Sequence, residues 1–175
     1  AGGSSRGPTY EVVEHIHRDL GITTMPHLTC VAHTRAEIEG IVARYRALGT
    51  ENILALRGDV PLDGPDRPTG DFTRAIDLVA FIRELAPFNI GVAAHPEGHP
   101  LATSRGADLE HHAEKLRAAD FAMTQFLFRA EYYERFVEEM AARAVTTPVI
   151  PGVMPPTNTE GIARMSAAAP MVIQL

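Results

Sequence analysis

Five short apolar runs punctuate the chain, at Met25–Val31, Asn52–Leu56, Ile90–Ala94, Phe121–Phe128 and Val149–Val153. Each has the length of a strand. Between them the hydrophobic period changes. Residues Arg35–Leu48 place Ile38, Ile41, Val42, Tyr45 and Leu48 on one side of a helix. Thr34 with Glu37 forms a capping box at its start, and Gly49 stands where a helix-ending glycine belongs. Comparable stripes run through Phe72, Ile76, Val79 and Leu85, and through Tyr133, Phe136, Val137 and Met140. A helix fits Pro8–Leu20 and a shorter one fits Asp108–Ala118; a second capping box, Thr157 with Glu160, opens a helix carrying Ile162 and Met165. The order is helix, then strand and helix five times. Apolar strands alternating with amphipathic helices predict an α/β protein with a parallel sheet covered by helices.

The polar residues choose between the two architectures that fit. The strand-like runs end in His27-Leu28-Thr29-Cys30, Leu56-Arg57-Gly58-Asp59, His95-Pro96-Glu97-Gly98-His99, Thr124-Gln125-Phe126 and Pro151-Gly152-Val153-Met154-Pro155. Functional groups at the carboxyl ends of nearly all strands mark a (β/α)8 barrel, the TIM barrel. A doubly wound sheet would gather them at one switch point and usually carry a glycine-rich phosphate loop, and no GxGxxG or GxxxxGK[ST] occurs. A whole barrel needs about 250 residues. The expectation is one incomplete barrel domain over residues 1–175, with strands missing at both ends.

Composition narrows the function classes. The chain is 45% apolar and 22% charged, as a globular domain is. No apolar run approaches the ~20 residues of a membrane span, and the opening lacks a basic-then-apolar leader pattern. Cys30 is the only cysteine, so no intramolecular disulfide can form and a reducing cytoplasm is the expected location. A net charge of −6 without a Lys/Arg block argues against nucleic acid or an anionic membrane as partner.

In HLTC, LRGD, AAHPEGHP, TQFLF and PGVMPPTN, in this order and spacing, the sequence resembles the catalytic barrel of the methylenetetrahydrofolate reductase family over its whole length. The opening AGGSSR resembles the loop after that family's second strand. Strands one, two and eight, with the glutamate that donates a proton, would then lie outside this chain. The resemblance implies FAD across the barrel mouth, NADH (or NADPH) as reductant, methylenetetrahydrofolate as the acceptor that becomes methyltetrahydrofolate for methionine synthesis, and the family's habit of homo-oligomeric assembly. It places His27, Arg57, Gly58, Asp59, Ala75, His95, His99, Ala102, Asp108 and Lys115 at flavin contacts, and Asp59 and Gln125 at the folate pterin. Asp59 could accept from the pterin amino edge, Lys115 could pair with the diphosphate as a point charge, and Gln125 could donate and accept without bringing charge into the hydride path. Asp59, His95 and Gln125 are thus expected to converge on one cavity.

Plainer roles compete at each position. Asp59 could cap a turn, His27 could be a core histidine, His95 and His99 could be satisfied in a proline turn, and Lys115 could be a solvated helix residue. His15 and His17, two apart on a helix, are expected to be exposed, as are His111 and Glu114, and Cys30 to be buried packing. Arg74, Glu114, Gly161 and Met165 depart from the family pattern and motivate a second reading, a truncated or degenerate barrel without catalysis. This stretch alone is expected to show little activity, because an unclosed sheet exposes its edges. A third reading, a metal-dependent barrel hydrolase using His27, His95 and His99, is disfavoured because the HxH pair and bridging lysine such sites use are absent.

Overall fold

The structure, a computed structural model, describes residues 6–31, 33–58, 70–99 and 102–153. Helix α1 (Arg6–Glu14) runs into a π-helical turn over His15–Asp19. Then follow β1 (His27–Thr29), α2 (Arg35–Leu48), β2 (Asn52–Leu56), α3 (Ala75–Leu85), β3 (Asn89–Ala94), α4 (Arg105–Ala118), β4 (Phe121–Leu127), α5 (Ala130–Ala141) and β5 (Val149–Val153). The five strands are parallel and form one sheet in the order β1-β2-β3-β4-β5. Among the described residues the order never doubles back, so there is no switch point of the doubly wound kind and the succession is that of a barrel. Thr157 and Glu160, with the helix expected to follow them, lie outside the described residues.

The chain forms two compact units, residues 1–92 with 118–120, and residues 93–117 with 121–175. In the first, β1 pairs with β2 in the register His27↔Leu54 to Thr29↔Leu56, and β2 with β3 from Asn52↔Asn89 to Ala55↔Val92. Regular strand geometry in β1 covers three residues of the longer apolar run. The ladder is wider: Pro26 O accepts from Leu54, and the Cys30 and Val31 amides donate to Leu56 O and Arg57 O. The capping box of α2 is as expected: Glu37 N–H donates to Thr34 Oγ1 at 3.3 Å, and Thr34 N–H to Glu37 Oε2 at 2.8 Å. Gly49 ends the helix at φ 86°. Ile38, Ile53, Leu78, Ile82 and Ile90 are fully buried there, each contributing about 1.5–3 kcal/mol through loss of apolar surface to water. Arg83 donates to Ala118 O and Asp120 Oδ2, and Asp120 Oδ2 also accepts from Ile90 N–H at 2.7 Å.

The π turn corrects the expectation for His17. Leu20 N–H reaches back five residues to His15 O at 3.3 Å, the wider winding of a π turn. His15 stays exposed and pairs with Asp19 at 2.7 Å, whereas His17 is half-buried, 3.2 Å from Thr24 Oγ1.

In the second unit, β4 and β5 pair from Ala122↔Val149 to Leu127↔Val153, and Leu109, Ala113, Leu116, Ala122, Phe136 and Met140 form the core. No helix among the described residues is long and apolar enough to cross a membrane.

Candidate functional site

In the first unit the end of β2 carries a backbone corner. Arg57 is exposed, and its carbonyl accepts from Val31 N–H at 2.9 Å and from the Cys30 thiol at 3.4 Å. Gly58 follows at φ 81°, and a Cβ there would lie 3.0 Å from Thr29 Cβ. Only glycine fits this left-handed position against β1 without strain. Asp59 lies outside the described residues, and with it the expected convergence of Asp59, His95 and Gln125. Ala75 opens α3, half-buried, behind Arg74, whose backbone and side chain both donate to Asp77. His27 begins β1, level with Leu54 and exposed, not the core histidine of the plainer reading, three positions before Cys30, about 10 Å along a strand. Cys30 is fully buried, as expected.

The second unit gathers five of the flavin-contact candidates, His95, His99, Ala102, Asp108 and Lys115. β3 ends at Ala94 and turns through His95–His99 toward α4. The turn is closed by Gly98 N–H on His95 O at 2.9 Å, with Gly98 at φ 108°. The His95 and His99 rings meet edge-to-face with centroids 4.9 Å apart. His99 N–H donates to Asp108 Oδ2 at 3.2 Å, and Ala102 N–H, exposed, donates to His99 O at 2.9 Å. Arg105 donates to Pro96 O at 3.0 Å and pairs with Glu139 on α5. Asp108 and Lys115 are two turns apart on the same face of α4, 5% and 8% exposed.

Sequence reasoning passed over His112, between them and 1% exposed. Its Nδ1 lies 2.9 Å from Asp108 O and 3.3 Å from Asp108 Oδ1, and its Nε2 accepts from His95 N–H at 3.1 Å. The available signal was spacing: position 112 is four past Asp108 and three before Lys115, so all three share a face. His111 and Glu114, on the other side, are exposed as expected.

Burial dominates the electrostatics. Desolvation first, then the Lys115 charge, push both His95 and His112 down to about 3, so both rings are neutral near pH 7. Desolvation also pushes Lys115 down to about 8, with Asp108 opposing. Lys115 is therefore a buried cation, not the solvated residue of the plainer reading. His95 Nδ1 is buried with no partner among the described residues.

Gln125 sits on a β-bulge. Between Met123↔Ile150 and Phe126↔Gly152, β4 carries one residue more than β5. Bulges of this kind re-aim side chains at barrel rims, and Gln125 is exposed, with its Oε1 accepting from Phe126 N–H at 3.3 Å. Gly161 and Met165 lie outside the described residues.

A family profile described as methylenetetrahydrofolate reductase matches residues 1–173. The chain belongs to that family. The 5,10-methylenetetrahydrofolate reductase of Buchnera aphidicola subsp. Schizaphis graminum is 38% identical over 168 residues, covering 95% of this chain and 56% of that protein. That of Salmonella typhimurium is 40% identical over 159 residues, covering 90% and 52%. A probable methylenetetrahydrofolate reductase (NADPH) of Caenorhabditis elegans is 40% identical over 156 residues, covering 87% and 23%. The chain thus spans about half the length of the bacterial methylenetetrahydrofolate reductases it matches. A mutant tryptophan synthase alpha-subunit from Pyrococcus furiosus aligns at 13% identity with a TM-score of 0.41, over 86% of this chain and 64% of that one. No three His, Cys, Asp or Glu side chains among the described residues form a metal-binding group.

Proposed function

We propose that this chain supplies part of the catalytic barrel of a cytoplasmic enzyme that reduces 5,10-methylenetetrahydrofolate to 5-methyltetrahydrofolate with NAD(P)H, in one-carbon metabolism and methionine biosynthesis. The observation that carries the reading is family membership across the whole length together with the buried cluster on α4. That cluster fits FAD on its own chemistry. Lys115 is a cation whose burial is only partly offset by Asp108, so an anionic diphosphate would complete its pairing. His95 offers a buried ring nitrogen with no partner, as a group that meets a ligand would. Two neutral imidazoles bring no competing charge.

Bound FAD would supply the hydride relay between nicotinamide and folate. The chain's own residues bind and orient. Lys115, Asp108, His95, His99 and Ala102 are the cofactor contacts proposed in the second unit, and His27, Arg57, Gly58 and Ala75 those proposed in the first. Asp59 and Gln125 meet the pterin, Asp59 as acceptor for its amino edge and Gln125 as an uncharged donor and acceptor. Copies of the protein associate.

The test uses the full-length protein. It should purify yellow, lose its flavin absorbance with NADH or NADPH under anaerobic conditions, and regain it when methylenetetrahydrofolate is added. A colourless protein that takes up no FAD would overturn the reading in favour of a barrel without this catalysis.

A further inference from the structure

We propose that His112 is a positioning residue whose neutral imidazole fastens the His95–His99 turn to α4 and so sets the affinity of the cofactor corner. The consequence for affinity rests on the flavin reading above; the fastening itself rests on geometry alone.

The ring is almost fully enclosed, at 1% exposure, and meets Phe136 in a T-shaped contact at a centroid distance of 5.3 Å. Its two nitrogens do different work. Asp108 O is a backbone carbonyl and can only accept, so Nδ1, 2.9 Å away, carries the proton. His95 N–H is a backbone amide and can only donate, so Nε2, 3.1 Å away, must present its lone pair. The two contacts select one tautomer of one protonation state. A doubly protonated ring would set donor against donor at Nε2.

This bridge spans seventeen positions, from the first residue after β3 to the middle of α4. It works in parallel with Asp108, whose Oδ2 takes the His99 amide at 3.2 Å. The amides of His95 and His99 therefore both end on side chains of α4, four residues apart. Between them, Arg105 holds the turn's outer carbonyl at Pro96. Of these three fasteners, His112 lies deepest and contacts the residue whose ring nitrogen is left without a partner, His95. Loss of the Nε2 acceptor frees the entry to the turn, and the His95 ring moves with its own backbone.

Two substitutions in the full-length protein separate the acceptor from the bulk. His112→Leu keeps an apolar side chain of similar reach against Phe136 and removes both polar atoms. His112→Gln restores an acceptor at about the position of Nε2. With Leu, amide hydrogen exchange at His95 should quicken about tenfold, with exchange in α2 unchanged, and the Kd for FAD, measured by flavin fluorescence on the apoprotein, should rise about tenfold, the worth of one hydrogen bond. Gln should return both toward wild type. Unchanged exchange with Leu, or equal loss with Leu and Gln, would overturn the proposal, because the ring would then matter only as filling. A wild-type protein that binds no FAD defeats the flavin reading instead, and the exchange measurement then decides the role of His112 by itself.

Discussion

Thr124 Oγ1 accepts the Gly152 amide proton at 2.8 Å while donating its own proton to Gln125 O at 2.7 Å. These two bonds stitch β4 to β5 at the point where β4 has a residue to spare, and they hold the backbone that carries Gln125. Position 152 has no room for a side chain: a Cβ would lie 2.6 Å from Thr124 O and 3.2 Å from Gln125 O, both backbone. Gly152→Ala should therefore cost about 1–3 kcal/mol by overpacking, and Thr124→Val about as much by leaving the Gly152 amide unpaired. Urea midpoints of the two variants test this; an alanine variant as stable as wild type would mean that the strands are not locked as described.

Acid should loosen the second unit before carboxylates begin to titrate. His95 and His112 are held at about 3 against 6.5 in the unfolded chain, chiefly by burial. Between those values the unfolded chain binds protons that the folded state does not, so stability is complete above pH 6.5 and falls as pH falls. Each ring contributes a slope of up to about 1.4 kcal/mol per pH unit. Protection factors of the α4 amides, which remove the intrinsic slowing of exchange in acid, should fall from pH 7 to pH 5, and His112→Gln should remove one ring's share. A flat profile over that range would place the rings in contact with water.

Lys115 predicts a separate limit on the alkaline side. In the ligand-free protein it titrates at about 8. A diphosphate favours its charged form, so FAD affinity should be full below pH 8 and decline above it by up to about tenfold per pH unit, until the bound lysine itself titrates. Lys115→Arg, charged throughout, should abolish that dependence even where its planar geometry weakens binding. Titration calorimetry of the apoprotein with FAD between pH 7 and 9.5 measures both; an affinity independent of pH in wild type would remove Lys115 from the diphosphate.

Gly58 carries a left-handed backbone position at the end of β2 in the first unit. Any side chain there meets the left-handed penalty of about 1–2 kcal/mol and a Cβ contact of 3.0 Å with Thr29. Gly58→Ala should lower the urea midpoint accordingly and weaken FAD binding through displacement of Arg57. A variant with full stability and full affinity would show the corner to be soft.

Locally encoded features were the legible ones. The runs Asn52–Leu56 and Val149–Val153 match β2 and β5 residue for residue, and the Thr34–Glu37 box closes as its spacing requires, because apolar runs and caps act within a few residues. Features that depend on a distant partner were not. The burial of Lys115 could not be read from a helix as polar as α4, since what covers it comes from elsewhere in the fold. His112 acquires its role only when the His95 amide arrives from β3. The bulge at Gln125 leaves no mark in Thr-Gln-Phe; its sign is Gly152 on the other strand. His17 turned inward because nothing in its sequence announces a π turn.

Cys30 gives the protein an internal clock for opening. It is the one thiol of the chain, fully enclosed, bonded to Arg57 O, and pushed up from its ordinary range by burial. A thiol so held reacts with alkylating reagents only after β1 and β2 part. The rate of its modification in the native protein therefore reports how often the Arg57–Gly58 corner comes undone, and a ligand seated there should slow that rate in proportion to its occupancy.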